Sequence, residues 1–176
     1  MRKSETKLLV TRDHPVLRQA AGEVPLEDIG SKKINDIIGK MKQALHAEDD
    51  GVAIAAPQIG YGLKIFIVRD SVIPQAENEP SPEDMIFINP KLVKVSKKTS
   101  KMEEGCLSLR YLYGEVLRYE KVTIEAYDEN GHYLSAGASG LLAQIFQHEM
   151  DHLEGILFTD KAENVRDLPP HHKKDA

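Results

Sequence analysis

Ser139-Gly140-Leu141-Leu142-Ala143-Gln144-Ile145-Phe146-Gln147-His148-Glu149-Met150-Asp151-His152-Leu153-Glu154-Gly155 is the stretch on which the reading of this chain turns. Leu141, Leu142 and Ile145 share a helical stripe with His148, Glu149 and His152, so the spacing predicts a helix from about Ser139 to Glu154. Gly155 is a natural C-terminal stop. Histidines at i and i+4 project from one face, about 6 Å apart along the axis, and can share one metal ion. Glu149, next to the first histidine, is angled toward whatever such an ion holds in its open position. This H-E-x-x-H pattern points to metal-activated water attacking a carbonyl, with a carboxylate carrying the proton. Histidines on an apolar face are often plain hydrogen-bonded core residues. A pair in this register with a glutamate is a ligand pattern instead.

Upstream of this helix the chain is rich in strand signals. Leu8 to Val10 reads as a short strand, and His14-Pro15-Val16-Leu17 as a turn into a short helix. A helix is predicted from about Lys32 to Ala47, with Ile34, Ile37, Ile38, Met41 and Leu45 at helical spacing and Ser31 as its N-cap. Gly51 to Gln58 reads as a loop of small residues, Leu63 to Val68 as a buried strand, and Ser71 to Asp84 as a loop. Met85–Asn89 and Lys91–Ser96 read as two strands separated by Pro90. Val122, Ile124 and Ala126 alternate with polar residues, and Asn130-Gly131 turns the chain into a second hairpin strand from Tyr133. Strands followed by one late helix predict an α+β fold: mixed or antiparallel sheets packed around a central metal-binding helix, with an N-terminal helix.

Length and composition bound the rest. The chain has 176 residues, 41% hydrophobic and 29% charged, which suits one globular domain over residues 1–176. From Lys161 it turns polar, and residues 162–176 read as a flexible tail, with His171 and His172 as solvated side chains. A net charge of -5 gives no general nucleic-acid footprint. No run approaches the roughly 20 apolar residues of a membrane span. The basic N-terminus is followed by too short an apolar run for a signal peptide. Cys106 is the single cysteine, which excludes an intramolecular disulfide and suits a reducing, cytoplasmic setting.

The third ligand separates the possible chemistries. A metzincin-like continuation would put a histidine where this chain has Phe158. A thermolysin-like site wants a glutamate on a later helix, where this chain is polar tail. Upstream, Glu104-Gly105-Cys106-Leu107-Ser108 holds the only thiol, in a polar, glycine-containing loop that suits a ligand better than a small buried hydrophobe. Cysteine with two histidines leaves one position of a tetrahedral ion open, as in catalytic sites.

Three motifs in order now resemble the peptide deformylase family. They are Gly51-Val52-Ala53-Ile54-Ala55-Ala56-Pro57-Gln58, Glu104-Gly105-Cys106-Leu107-Ser108, and Gln147-His148-Glu149-Met150-Asp151-His152. The resemblance runs from about residue 8 to 161. It implies a hydrolase that removes the formyl group from the N-terminal formyl-methionine of nascent polypeptides emerging from the ribosome, releasing formate. It implies metal ligation by Cys106, His148 and His152, proton transfer by Glu149, and oxyanion stabilisation by the Gln58 side chain and the Leu107 backbone N–H. The divalent ion it implies in the cell is Fe(II), while this ligand set also accepts Zn, Ni or Co.

The family's substrate lies extended beside the first motif, near Gly51, Ala53 and Ile54, with the methionine side chain in an apolar pocket near Ile54, Leu141 and Ile145. Asp151 is expected to orient a ligand by hydrogen bonding, and Glu104 with Arg118 to brace the Cys106 loop. Three positions depart from the family pattern: Ala53 for a glycine, and Arg110 and Leu117 for prolines. Ala53 adds a methyl where substrate backbone should approach, which predicts retained activity with altered substrate fit. Two rival functions remain: a metallopeptidase, disfavoured by the ligand order, and a non-enzymatic metal-stabilised peptide binder, disfavoured by Glu149 and Gln58.

Overall fold

The computed structural model describes residues 8–75, 77, 80 and 83–169. The first helix, α1 (Lys32–His46), starts at Ser31, whose Oγ accepts the Ile34 N–H at 3.3 Å. Its apolar stripe, Ile34, Ile37, Ile38, Met41, Ala44 and Leu45, is buried. The strands β1 (Ala53–Ala55), β2 (Ile65–Val68), β3 (Met85–Val95), β6 (Lys121–Tyr127) and β7 (Tyr133–Ser139) form one sheet in the order β1-β2-β3-β6-β7. The strands β4 (Thr99–Gly105), β5 (Leu112–Tyr119) and β8 (Glu163–Asp167) form a second, in the order β4-β5-β8. Every strand pairing is antiparallel. The second helix, α2, spans Gly140–Leu153 and follows β7 directly. The fold is α+β, with antiparallel sheets and two α-helices among the described residues.

Strand alternation sorts the core into two faces. Ile54, Ile65, Ile67, Ile86 and Ile88 pack against the stripe of α1. Their neighbours Ala53, Ala55, Phe66, Val68 and Phe87 face the other way, onto Ala143, Ile145, Phe146 and Leu153 of α2. Phe66 and Phe87 stack with centroids 4.7 Å apart, and Phe146 of α2 meets Phe87 edge-on at 5.1 Å. Such aromatic contacts contribute about 0.5–1.5 kcal/mol beyond area burial. They fix how α2 sits on the first sheet. The helix also touches β5 of the second sheet.

Several sequence expectations are corrected here. Leu8–Val10 is not a strand, and Gly51–Gln58 is not one loop: β1 is followed by a 3-10 turn, Ala56–Ile59. Pro90 does not divide two strands. β3 runs through it, with a bulge between Ile88 and Lys91 that absorbs the missing N–H. Asn89 supplies the left-handed residue there (φ 50°), and its amide exchanges hydrogen bonds with the Val24 backbone at 2.8 and 2.7 Å. The segment read as a tail from residue 162 begins with β8, which pairs with β5. Its side chains are exposed, so it carries no apolar period; backbone pairing holds it instead. His171 and His172 lie outside the described residues.

Candidate metal centre

β4 ends at Gly105 and delivers Cys106 to the α2 face that carries His148, Glu149 and His152. A side chain on Gly105 would meet the Tyr113 ring at 2.9 Å, so glycine permits this tight exit from the hairpin. Cys106 Sγ lies 3.3 Å from His152 Nε2. One ligand-type atom from each of Cys106, His148 and His152 lies within 4.8 Å of the others. His148 Nδ1 is engaged by Glu104 Oε2 at 2.9 Å, which orients the ring and makes Nε2 the nitrogen that would face an ion. The Phe158 ring, where a metzincin would place its third histidine, lies beside the His148 ring at 6.3 Å.

Behind these residues stands a buried ionic network. Arg118 grips Glu104 through Nε at 2.6 Å and Nη2 at 2.9 Å, and Asp151 through Nη1 at 2.7 Å. Lys161 completes Asp151 at 2.8 Å. Asp151 therefore does not touch a histidine ligand. It steadies Arg118, which holds Glu104, which orients His148.

Burial opposes charge on Glu104, but hydrogen bonds from His148 and Arg118 outweigh it and bring the carboxyl down to about 2. Burial would likewise raise the Cys106 thiol, yet the charge of His152 and hydrogen bonds from both histidines hold it well below its ordinary value. His148 is lowered by burial, but hydrogen bonds to Cys106 and Glu104 carry it well above the usual imidazole range. The cluster thus concentrates negative charge on Cys106 and Glu104 and favours positive charge between them. Glu149 differs: burial raises its carboxyl, with only partial compensation from the histidines.

Among the described residues, two buried side-chain polar atoms lack a hydrogen-bond partner, Glu149 Oε2 and His152 Nδ1. Glu149 is 3% exposed yet lines a cavity of about 380 Å³ beside the cluster. A buried carboxylate oxygen without a partner is costly unless a ligand or water completes it. The donor set of one thiolate and two imidazoles suits a divalent ion with an open position. The residues present therefore fit a catalytic metal.

Gln58 sits in the 3-10 turn after β1, its Oε1 fixed by the Ala55 N–H at 2.8 Å. Its Nε2 donates to Ser108 Oγ at 3.1 Å and approaches Cys106 Sγ at 3.6 Å. Ala53, Leu107, Leu141 and Ile145 line the same cavity. Two expected substrate contacts do not. Ile54 is fully buried among α1 residues, because alternation along β1 turns it to the opposite face from Ala53. Gly51 packs under the end of α1, where a Cβ would stand 3.0 Å from the Leu45 carbonyl oxygen. Leu141 is at the cavity mouth and 56% exposed, not on a buried stripe as its spacing suggested. Sequence reasoning missed Ser108, the Glu104–His148 bond, and the cavity walls Arg110, Tyr111 and Tyr113. A polar residue two positions after the cysteine was the one available signal.

The model of the family described as polypeptide deformylase matches residues 6–167. A chloroplastic peptide deformylase 1A of Solanum lycopersicum is 39% identical over 87% of this chain, which spans 58% of that relative. A peptide deformylase of Roseiflexus castenholzii is 36% identical over 98% of this chain and 90% of its own length. Among solved structures, a Synechococcus elongatus peptide deformylase in complex with actinonin superposes with TM-score 0.75 at 35% identity, covering 89% of this chain and 78% of that one. A Met-Ala-Ser-bound peptide deformylase of Acinetobacter baumannii gives TM-score 0.77 at 29% identity, over 87% and 96%.

Proposed function

This chain belongs to the polypeptide deformylase family; we propose that it removes the formyl group hydrolytically from the N-terminal formyl-methionine of nascent polypeptides, with Cys106, His148 and His152 holding the metal ion on which this depends. The observation that carries the assignment is their convergence beside the unpartnered, buried oxygen of Glu149. When bound, a divalent cation supplies Lewis acidity and a positive charge beside which water loses its proton readily.

The protein's own groups do the rest. Glu149 takes the water proton and returns it to the departing amine nitrogen. A carboxyl raised by burial is suited to both roles. Gln58 Nε2 turns from Ser108 to the developing oxyanion, and the Leu107 N–H is the second donor. The Ala55 bond to Gln58 Oε1 fixes the amide's orientation, so that its NH₂ end faces the cavity. The peptide runs extended past Ala53, with the methionine side chain against Ile145 and Leu141. α2 is the helix around which the site is organised, and residues 1–176 act as one catalytic domain. The working ion is Fe(II), with Zn, Ni or Co able to substitute. The setting is cytoplasmic, where nascent chains leave the ribosome. Among the described residues, no helix is long and apolar enough to cross a membrane.

Formate release from formyl-Met-Ala-Ser, measured with the Fe(II)-, Ni(II)- and Co(II)-loaded protein, tests this reading. Formate appears, and Glu149→Ala reduces it by at least about 100-fold. Absence of formate with all three ions would overturn the proposal.

A further inference from the structure

Arg110 leaves the wall of the cavity formed by residues 105–113 and pairs with the opposite wall. Its Nη1 lies 3.1 and 3.2 Å from the Asp50 carboxylate oxygens, and its Nη2 bonds Glu48. Asp50 and Arg110 both line the cavity. Each anchor is fixed by backbone contacts. On one side, Arg69 Nη1 donates to the carbonyls of Glu48 and Gly51 at 3.1 Å each, and the Arg69 N–H donates to Val52 at 2.8 Å. On the other, the Leu109 N–H donates to Cys106 at 3.0 Å, and the Leu168 N–H to Tyr111 at 2.8 Å. Tyr111 is held at φ 68°, a conformation that a tyrosine keeps only when its surroundings over-determine it.

The bridge between these rigid anchors is the adjustable part. The side chains of Arg110, Glu48 and Asp50 are 36%, 30% and 67% exposed. Pairs this open are weak and are screened by salt. They add little to the stability of the fold, but they join the segment between α1 and β1, which leads into the strand beside which a peptide would lie, to the loop that carries Cys106.

We propose that Arg110 is a positioning residue: with Glu48 and Asp50 it forms a clasp that fixes the width of the cavity mouth for an extended formyl-peptide. The proposal rests on the deformylase reading of the same cavity. A peptide that pairs with both walls needs them at a set spacing. Loosening that spacing weakens ground-state binding, while His148, Glu149 and His152 keep their geometry because α2 carries them and the clasp does not touch it.

Steady-state deformylation of formyl-Met-Ala-Ser is compared for the wild type, Arg110→Ala, Arg110→Lys and Glu48→Gln/Asp50→Asn at low and high salt. Arg110→Ala raises KM about three- to five-fold, with kcat within about two-fold. Salt near 0.5 M, with a Debye length of only about 4 Å, raises the wild-type KM toward the variant's and leaves the variant's unchanged. The double variant matches Arg110→Ala, and Arg110→Lys recovers part of the loss because it keeps the charge. An unchanged KM, an equal salt response in wild type and Arg110→Ala, or a loss confined to kcat overturns the clasp. Amide hydrogen exchange over residues 48–55 and 106–111 decides independently of turnover. It is faster in Arg110→Ala and in salt-treated wild type, and equal rates overturn the clasp. An inactive wild type with the exchange difference intact would count against the deformylase reading alone.

Discussion

Ala53 shows how much a single methyl decides. It sits in β1, 6% exposed, packed in the cluster that holds Phe66 and Ile145, and it also lines the cavity. Ala53→Gly removes the methyl from the path of the peptide backbone. KM for formyl-Met-Ala-Ser should fall, by up to about ten-fold, with kcat little changed. The fold should lose about 0.5–1 kcal/mol, since glycine costs a strand that much relative to alanine. Kinetics on the purified variant, beside its denaturation midpoint, separate the two effects. Unchanged KM and side-chain preference would mean that the methyl serves only packing. At this scale the sequence was most informative where chemistry demands a residue type. His148, Glu149, His152 and the lone Cys106 stood out because few roles suit them together; the structure brings Cys106, His148 and His152 within 4.8 Å of one another, with Cys106, His148 and Glu149 lining one cavity. Ile54 misled because a motif gives neighbours along the chain, whereas a strand sends successive side chains to opposite faces.

The elements of the second sheet were not legible in the same way. β4 exposes most of its side chains, and its one buried residue is Glu104. β5 buries Arg118 alongside Val116. Charges at inward positions erase the alternation on which strand reading depends. Helices α1 and α2 were legible because their apolar stripes face the first sheet. The buried charges that hid the second sheet are what tie β4, β5 and α2 together, through Glu104, Arg118, Asp151 and His148. Removing one partner from a buried network leaves the others uncompensated, at a cost of about 3–5 kcal/mol. Arg118→Ala should therefore lower unfolding stability by that order. It should also weaken metal affinity about 10- to 100-fold, because Glu104 would no longer hold His148 in place. Denaturant titration measures the first and competition with a chromophoric chelator the second. Stability loss with metal affinity unchanged would confine Arg118 to packing.

Across the whole molecule, the candidate ligands come from two layers. Cys106 follows β4 of the second sheet, and His148 and His152 stand on the helix that covers the first. An ion held by all three links the layers, so its binding free energy should appear as folding stability. At about a thousand-fold excess over Kd, one site adds about 4 kcal/mol. For a chain of this length that corresponds to a rise of roughly 8–16 °C in Tm. Calorimetry of the Ni(II)-loaded protein before and after chelation should show this interval. Cys106→Ala should abolish most of it, whatever its own stability, because two imidazoles remain on one layer and nothing reaches them from the other. On the proposed assignment of Glu149 to proton transfer rather than ligation, Glu149→Ala should keep the interval while losing formate release. A chelation-independent Tm in the wild type, or an undiminished interval in Cys106→Ala, would remove Cys106 from the metal site. The third ligand would then have to be sought among other residues near His148 and His152.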